Sequence, residues 1–170
     1  MDASSIHVSL THSPLDANAA VEFVTAASGG RAGGISSFIG VTRRDEGSWK
    51  GERVEYLVYE AHTSMAEKKM LEIVTTLAAP ERHPVLAVYA SHRLGRVNVG
   101  EASIIITAAS VHRRAAIDFV SEAIDLLKAE VPVWKKEVYV SEEGERSSGL
   151  WKENSEWQPE RLGSPAKPCS

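Results

Sequence analysis

Three stretches of helical periodicity, each closed by glycine or proline, interrupt a chain otherwise rich in strand patterns. Ala19, Ala20, Phe23 and Val24 recur at helical spacing before Gly29-Gly30. A second helix runs from about Ser64 to Ala79, opened by the capping-box form Ser64-Met65-Ala66-Glu67 and ended by Pro80 and Pro84. A third runs from about Arg113 to Glu130. Its buried stripe is expected at Ala116, Phe119, Ala123, Ile124 and Leu127, and Pro132 stops it. For the first helix, Ser13 serves as the expected cap, with Pro14 in the first turn and Asp16 three residues on.

Strand patterns fill the intervals at about 5–12, 35–41, 53–60, 85–91, 101–109 and 134–140, with Gly95 and Gly100 turning the chain. The order β-α-β-β-α-β-β-α-β predicts a mixed α+β domain. Thr42 to Gly51 is charged, contains two glycines and reads as an exposed, mobile loop. From Ser141 onward Glu, Ser, Gly, Pro and Lys dominate, with Trp151 and Trp157 as large anchors. That segment is expected to lie on another surface of the domain. The division is one domain over 1–158 and a flexible tail over 159–170.

At 170 residues the chain can bury a full core. A formal charge of −4 speaks against a duplex-binding module. No apolar run approaches the roughly 20 residues that cross a bilayer. The opening MDASSIHVSL carries no secretory pattern, so a cytosolic protein is expected. A single thiol, Cys169, sits beside the last residue, where chains fray. It can form neither an internal disulfide nor a multi-cysteine zinc site. The six histidines make no metal motif, and phosphate-loop, dinucleotide and serine-hydrolase signatures are missing. No cofactor or metal is expected.

What remains is a set of cations. Ser110-Val111-His112-Arg113-Arg114 stands where a strand hands over to a helix, and such a helix start favours an anion. Arg113 can add a bidentate fork for phosphate, and His112 can accept a proton. Solvated first-turn residues explain the same pattern. Lys128 falls in the last turn of the third helix, which a lysine suits for dipole reasons alone. Lys135-Lys136 beside Trp134 could equally guard an edge strand. A lysine among other cations can also turn nucleophilic. Arg43 and Arg44 read either as surface charge or as a phosphate clamp.

The ordered segments F-I-G-V-T-R at 38–43, Y-E-A-H-T-S-M-A at 59–66, H-R-L-G at 92–95 and E-A-S-I-I-I at 101–106 continue into S-V-H-R at 110–113. D-L-L-K at 125–128 and V-P-V-W-K-K-E at 131–137 complete the series. Over about residues 30–158 the chain resembles the large, catalytic subunit of molybdopterin synthase, closer to its eukaryotic members. The resemblance implies an α/β hammerhead fold with an additional antiparallel β subdomain. It implies a sulfurtransferase of molybdenum cofactor biosynthesis that converts cyclic pyranopterin monophosphate into molybdopterin by building its dithiolene. Sulfur would come from a small ubiquitin-like subunit whose Gly-Gly end carries a thiocarboxylate. Two large subunits would pair as a homodimer, with a small subunit at each end of a heterotetramer.

Residue by residue, Lys128 matches the lysine beside the thiocarboxylate and Lys135 the second essential lysine. Lys136 and Glu137 would line the same pocket. His112 and Arg113 match the pair receiving the phosphate side, and Arg43 the arginine after F-x-G, with Val41 and Thr42 as its neighbours. Arg44 stands where a small polar residue is expected, which leaves open which arginine faces the ligand. A partner-borne sulfur also suits a chain without a well-placed cysteine. The competing reading is a non-catalytic adaptor that docks a ubiquitin-like Gly-Gly tail.

Overall fold

The structure, a computed structural model, describes residues 5–44, 52–149 and 152–153. Its elements in chain order are β1 (Ile6–Thr11), α1 (Ala17–Ala27), β2 (Gly34–Val41), β3 (Arg53–Ala61), α2 (Thr63–Leu77) and β4 (Val85–Arg93). They continue with β5 (Gly95–Asn98), β6 (Ala102–Ser110), α3 (Arg113–Glu130), β7 (Val133–Val140), β8 (Arg146–Ser148) and β9 (Lys152–Glu153).

Two sheets result. The first has order β1-β4-β6-β2, parallel only between β1 and β4. Because side chains alternate across a strand, β4 and β6 feed two cores at once. Val88, Ala90, Ile106 and Ala108 join the stripes of α2 and α3, while Ala87 and Ala109 meet Val24 of α1 on the other face. All five residues expected on the α3 stripe are buried, and Val120 joins them. The second sheet is antiparallel, with order β5-β3-β7-β8 and β9 also paired to β7. This is the expected α+β class, the second sheet forming the additional antiparallel subdomain.

Several local expectations are corrected. The α1 cap is Asp16, whose Oδ1 accepts the Asn18 N–H at 2.8 Å, so Ser13 and Pro14 lie ahead of the helix. The Ser64–Glu67 box does not form. Helix α2 starts at Thr63 behind His62, and Glu67 Oε1 instead accepts the Leu10 N–H at 3.0 Å, tying α2 to β1. Between the turning glycines lies a strand, β5, with positive φ at both Gly95 (74°) and Gly100 (87°). The polar stretch after Ser141 is not wholly a tail, because β8 and β9 extend the second sheet. Gly144, at φ 84°, makes the turn into β8 that only glycine adopts at little cost.

The expected mobile loop falls largely on 45–51, which lies outside the described residues, as do Trp151, Trp157, Cys169 and the 159–170 tail. Among the described residues no helix is long and apolar enough to cross a membrane.

Candidate functional site

A cavity of about 360 Å³ opens where the two sheets and the C-terminal half of α3 meet. Met70 of α2, Ile124 and Leu127 of α3, and Val131 and Val133 beyond it make an apolar wall. Six polar side chains face them: Arg43, Tyr59, His92, Ser103, Lys128 and Lys135.

The geometry of the two lysines follows from how α3 stops. Lys128 is the basic residue of its last turn, next to the carbonyl end of the helix dipole. Val131 leaves the helix in an extended conformation, its N–H on the Leu127 carbonyl at 3.1 Å. Pro132 has no N–H to continue the ladder. The chain therefore turns straight into β7, and Lys135 arrives on the same cavity, opposite Tyr59 in the β3–β7 register. The Lys135 ammonium stands 3.7 Å from Glu137 Oε1. Glu137 also takes a short hydrogen bond from the Tyr139 hydroxyl.

Arg43 is placed by the end of β2. The β2–β6 register shifts between Gly40 and Val41. The next residue, Thr42, is then clamped: its N–H donates to the Glu101 carbonyl at 3.0 Å and its carbonyl accepts the Gly100 N–H at 2.8 Å. Thr42 is buried, and its hydroxyl has no hydrogen-bond partner among the described residues. Arg43 lines the cavity and Arg44 is not among the lining residues, so Arg43 is the arginine that faces it.

Three polar lining residues were not anticipated as site residues. Burial holds the Tyr59 phenol above its ordinary pKa, with Ser103 nearby partly opposing the shift. Ser103 donates to the Gly40 carbonyl at 3.2 Å. Burial pushes His92 down to about 4, so its imidazole is neutral, and the ring stacks edge-on against Tyr59 at 4.9 Å. His92 belongs to the H-R-L-G segment, the one sequence signal that pointed to it. Tyr59 and Ser103 stand in the Y-E-A-H-T-S-M-A and E-A-S-I-I-I segments, but neither segment shows that neighbouring strands bring them together.

The remaining expected site residues are not in this cavity. Lys136 follows Lys135 on a strand, so its side chain leaves from the other face of the sheet. Glu137 is not a lining residue, although its Oε1 lies 3.7 Å from the Lys135 ammonium, and Val41 is exposed on the β2 edge. His112 caps α3 with its backbone and makes no side-chain cap bond, and both it and Arg113 are exposed. At 1.5 Å per residue, His112 is about 24 Å along the helix from Lys128. Within one chain the two cation pairs therefore form separate sites. Among the described residues no cluster of His, Cys, Asp and Glu could hold a metal ion.

Comparison with known proteins places this geometry. Residues 10–130 match the model of the family described as MoaE protein. The molybdopterin synthase catalytic subunit of Bos taurus is 45% identical over 124 residues, covering 73% of this chain and 60% of the bovine one. The chain thus spans about 60% of the length of that relative. A crystal structure of molybdopterin synthase from Staphylococcus aureus superposes with a TM-score of 0.67 at 28% identity, covering 84% of this chain and 96% of that one. A Helicobacter pylori structure titled as a complex of subunits 1 and 2 of molybdopterin-converting factor shares the fold at 18% identity and a TM-score of 0.57, over 78% and 84% of the two chains. On the family match and the shared two-sheet fold, the chain belongs to the MoaE protein family.

Proposed function

We propose that this chain is the catalytic subunit of a molybdopterin synthase, moving sulfur from the thiocarboxylate of a small ubiquitin-like partner to cyclic pyranopterin monophosphate in the cytosol. The observation that carries the reading is the composition of the cavity: an apolar slot with Arg43, Lys128 and Lys135 converging on it and, among the described lining residues, no thiol. Such a site suits an anionic extended tail that brings its own sulfur. The Helicobacter complex of two subunits supports a protein partner of this kind.

In this reading Lys128 orients and polarises the thiocarboxylate. Negative charge develops on the acyl oxygen when that carbon is attacked, and a fixed ammonium beside it stabilises the charge without reorganisation. Lys135, held by Glu137, assists proton transfer, and Arg43 offers a planar fork to the substrate phosphate. Residues 1–158 act as one catalytic-subunit domain, with 159–170 as a tail.

The 24 Å between Lys128 and His112 is closed by a second copy of the chain. β2 is an edge strand, and Ile35, Ile39 and Val41 lie exposed on one of its faces (40%, 43% and 51%). Two copies pairing along β2 about a two-fold axis run antiparallel, and with the axis at the middle of the strand, between Ser37 and Phe38, Gly34 of one lies opposite Val41 of the other. Gly34 packs against Arg113: an added Cβ there would lie 3.0 Å from the Arg113 Cα. Val41 is two residues before Arg43. Pairing therefore brings His112 and Arg113 of one copy towards the Arg43 side of the other copy's cavity. With a small subunit on each copy the assembly is a heterotetramer.

The test is reconstitution of the full chain with a thiocarboxylated Gly-Gly partner and cyclic pyranopterin monophosphate, reading dithiolene product. Product formation supports the synthase. A stable complex that yields none would contradict it and leave a docking adaptor.

A further inference from the structure

The cavity contains one side chain for which sulfur transfer, as described above, has no use. His92 Nδ1 lies 2.8 Å from the Arg93 carbonyl oxygen. A carbonyl only accepts, so Nδ1 carries the proton and the neutral ring presents Nε2 as a bare lone pair. Nε2 has no hydrogen-bond partner among the described residues.

Every other polar group of the lining is committed differently. Arg43, Lys128 and Lys135 bring guanidinium and ammonium groups, which have donors only. Ser103 gives its proton to the Gly40 carbonyl, and burial raises the Tyr59 phenol so that it keeps its own proton. His92 Nε2 is thus the one nitrogen lone pair that the described lining offers to a proton.

We infer that His92 is a further catalytic residue, the base that takes the proton of water when the thioester between the partner's terminal glycine and the substrate sulfur is hydrolysed. The inference rests on the sulfurtransferase reading. Once the donated sulfur is bonded to the substrate, the acyl group must be removed. Water adds its oxygen to the acyl carbon as its proton passes to Nε2. The C–O bond forms and the C–S bond breaks. The partner leaves as a carboxylic acid and the sulfur stays on the substrate as a thiolate, with the imidazolium balancing its charge.

The surroundings favour that assignment. Burial pushes the His92 imidazole down to about 4, so its lone pair is available at neutral pH. The charged and titratable groups facing the same space are Tyr59 of β3, Lys128 of α3, Lys135 of β7 and Arg43 after β2. Arg93, the next residue, is neutralised by Glu101 at 2.9 Å. An incoming phosphate and thiolate place negative charge beside the ring and favour the imidazolium. The base is strengthened at the step that needs it.

The experiment is a single turnover of the assembled complex, with His92→Gln beside wild type, quenched and read by intact mass of the small subunit. Wild type should return the small subunit as its carboxylate, together with product. His92→Gln should form product about 10²–10⁴-fold more slowly and accumulate a covalent small-subunit–substrate adduct. His92→Ala, whose missing ring leaves room for a small base, should be partly rescued by added imidazole. A His92→Gln rate equal to wild type, or a slowed rate with no adduct, would overturn the inference and leave the sulfurtransferase reading standing. Wild type that forms no product would sink that reading and this one with it. A measurement that needs no variant is the ¹⁵N spectrum of ring-labelled wild type at neutral pH. A non-protonated Nε2 is expected, and a protonated one would overturn the assignment.

Discussion

At the residue scale the candidate site is a meeting of cations with one neutral base. In the proposed reading Lys128→Ala removes an ammonium beside the reacting acyl group, and loss of one such stabilising donor costs about 10²–10³ in rate. Product formation should fall at least that far while affinity for the small subunit, measured by calorimetry, stays near wild type. An unchanged rate would remove Lys128 from the chemistry. His92 gives a pH signature of folding stability. Its folded pKa is about 4 against an ordinary 6.5, so between those values the unfolded chain binds the proton and the folded chain does not. Stability therefore falls as pH drops from 6.5 towards 4, by up to about 3 kcal/mol, and is unaffected above that window. Denaturant midpoints across pH should show this slope in wild type and lose it in His92→Gln. Arg43, Lys128 and Lys135 were legible as residues through the motifs that contain them. Tyr59, His92 and Ser103 were not marked as a site, because their proximity exists only once β3, β4 and β6 lie side by side.

At the element scale the helices and the six longer strands were readable from periodicity, since burial on one face leaves a period in the sequence. The misses share a cause. β5 has four residues between two glycines, and β8 and β9 are polar, so neither carries an alternating apolar signal. They are strands because β3 and β7 offer ladder partners, a tertiary effect that outweighs local preference. The caps failed differently: Glu67 had a competing partner in the Leu10 N–H, and Asp16 stood close enough to the first helical residue to displace Ser13 as cap. Phe119 is fully buried at the centre of the α3 stripe, in contact with the α2 side of the core. Phe119→Ala should cost about 3–5 kcal/mol in denaturant unfolding. A loss below 1 kcal/mol would show that α3 is not seated as described.

At the scale of the whole molecule, the proposed reading puts two halves of one anion site at opposite ends of α3, and β2 carries an exposed apolar face at the sheet edge. The sequence resemblance implied both sets of residues but left open whether the pocket is shared across the dimer, because nothing in a linear chain says which copy supplies which residue. The 18-residue length of α3 makes that question decidable. Ile39→Lys puts a charge on the exposed β2 face and should yield a folded monomer in sedimentation, with activity lost although its own Lys128 and Lys135 are intact. A dimer of wild-type strength would move the interface elsewhere.

The most direct measurement combines the chemistry with the pairing. Co-expressing Lys128→Ala with Arg113→Ala gives dimers in which one cavity has lost both groups and the other has kept both. Each variant alone should be close to background in the reconstituted assay. Random pairing makes half the dimers mixed, with one intact site in two, so the mixture should recover about a quarter of wild-type turnover. A mixture as inactive as its components, or either variant alone turning over like wild type, would contradict a sulfur-transfer site built from Lys128 of one copy and Arg113 of the other.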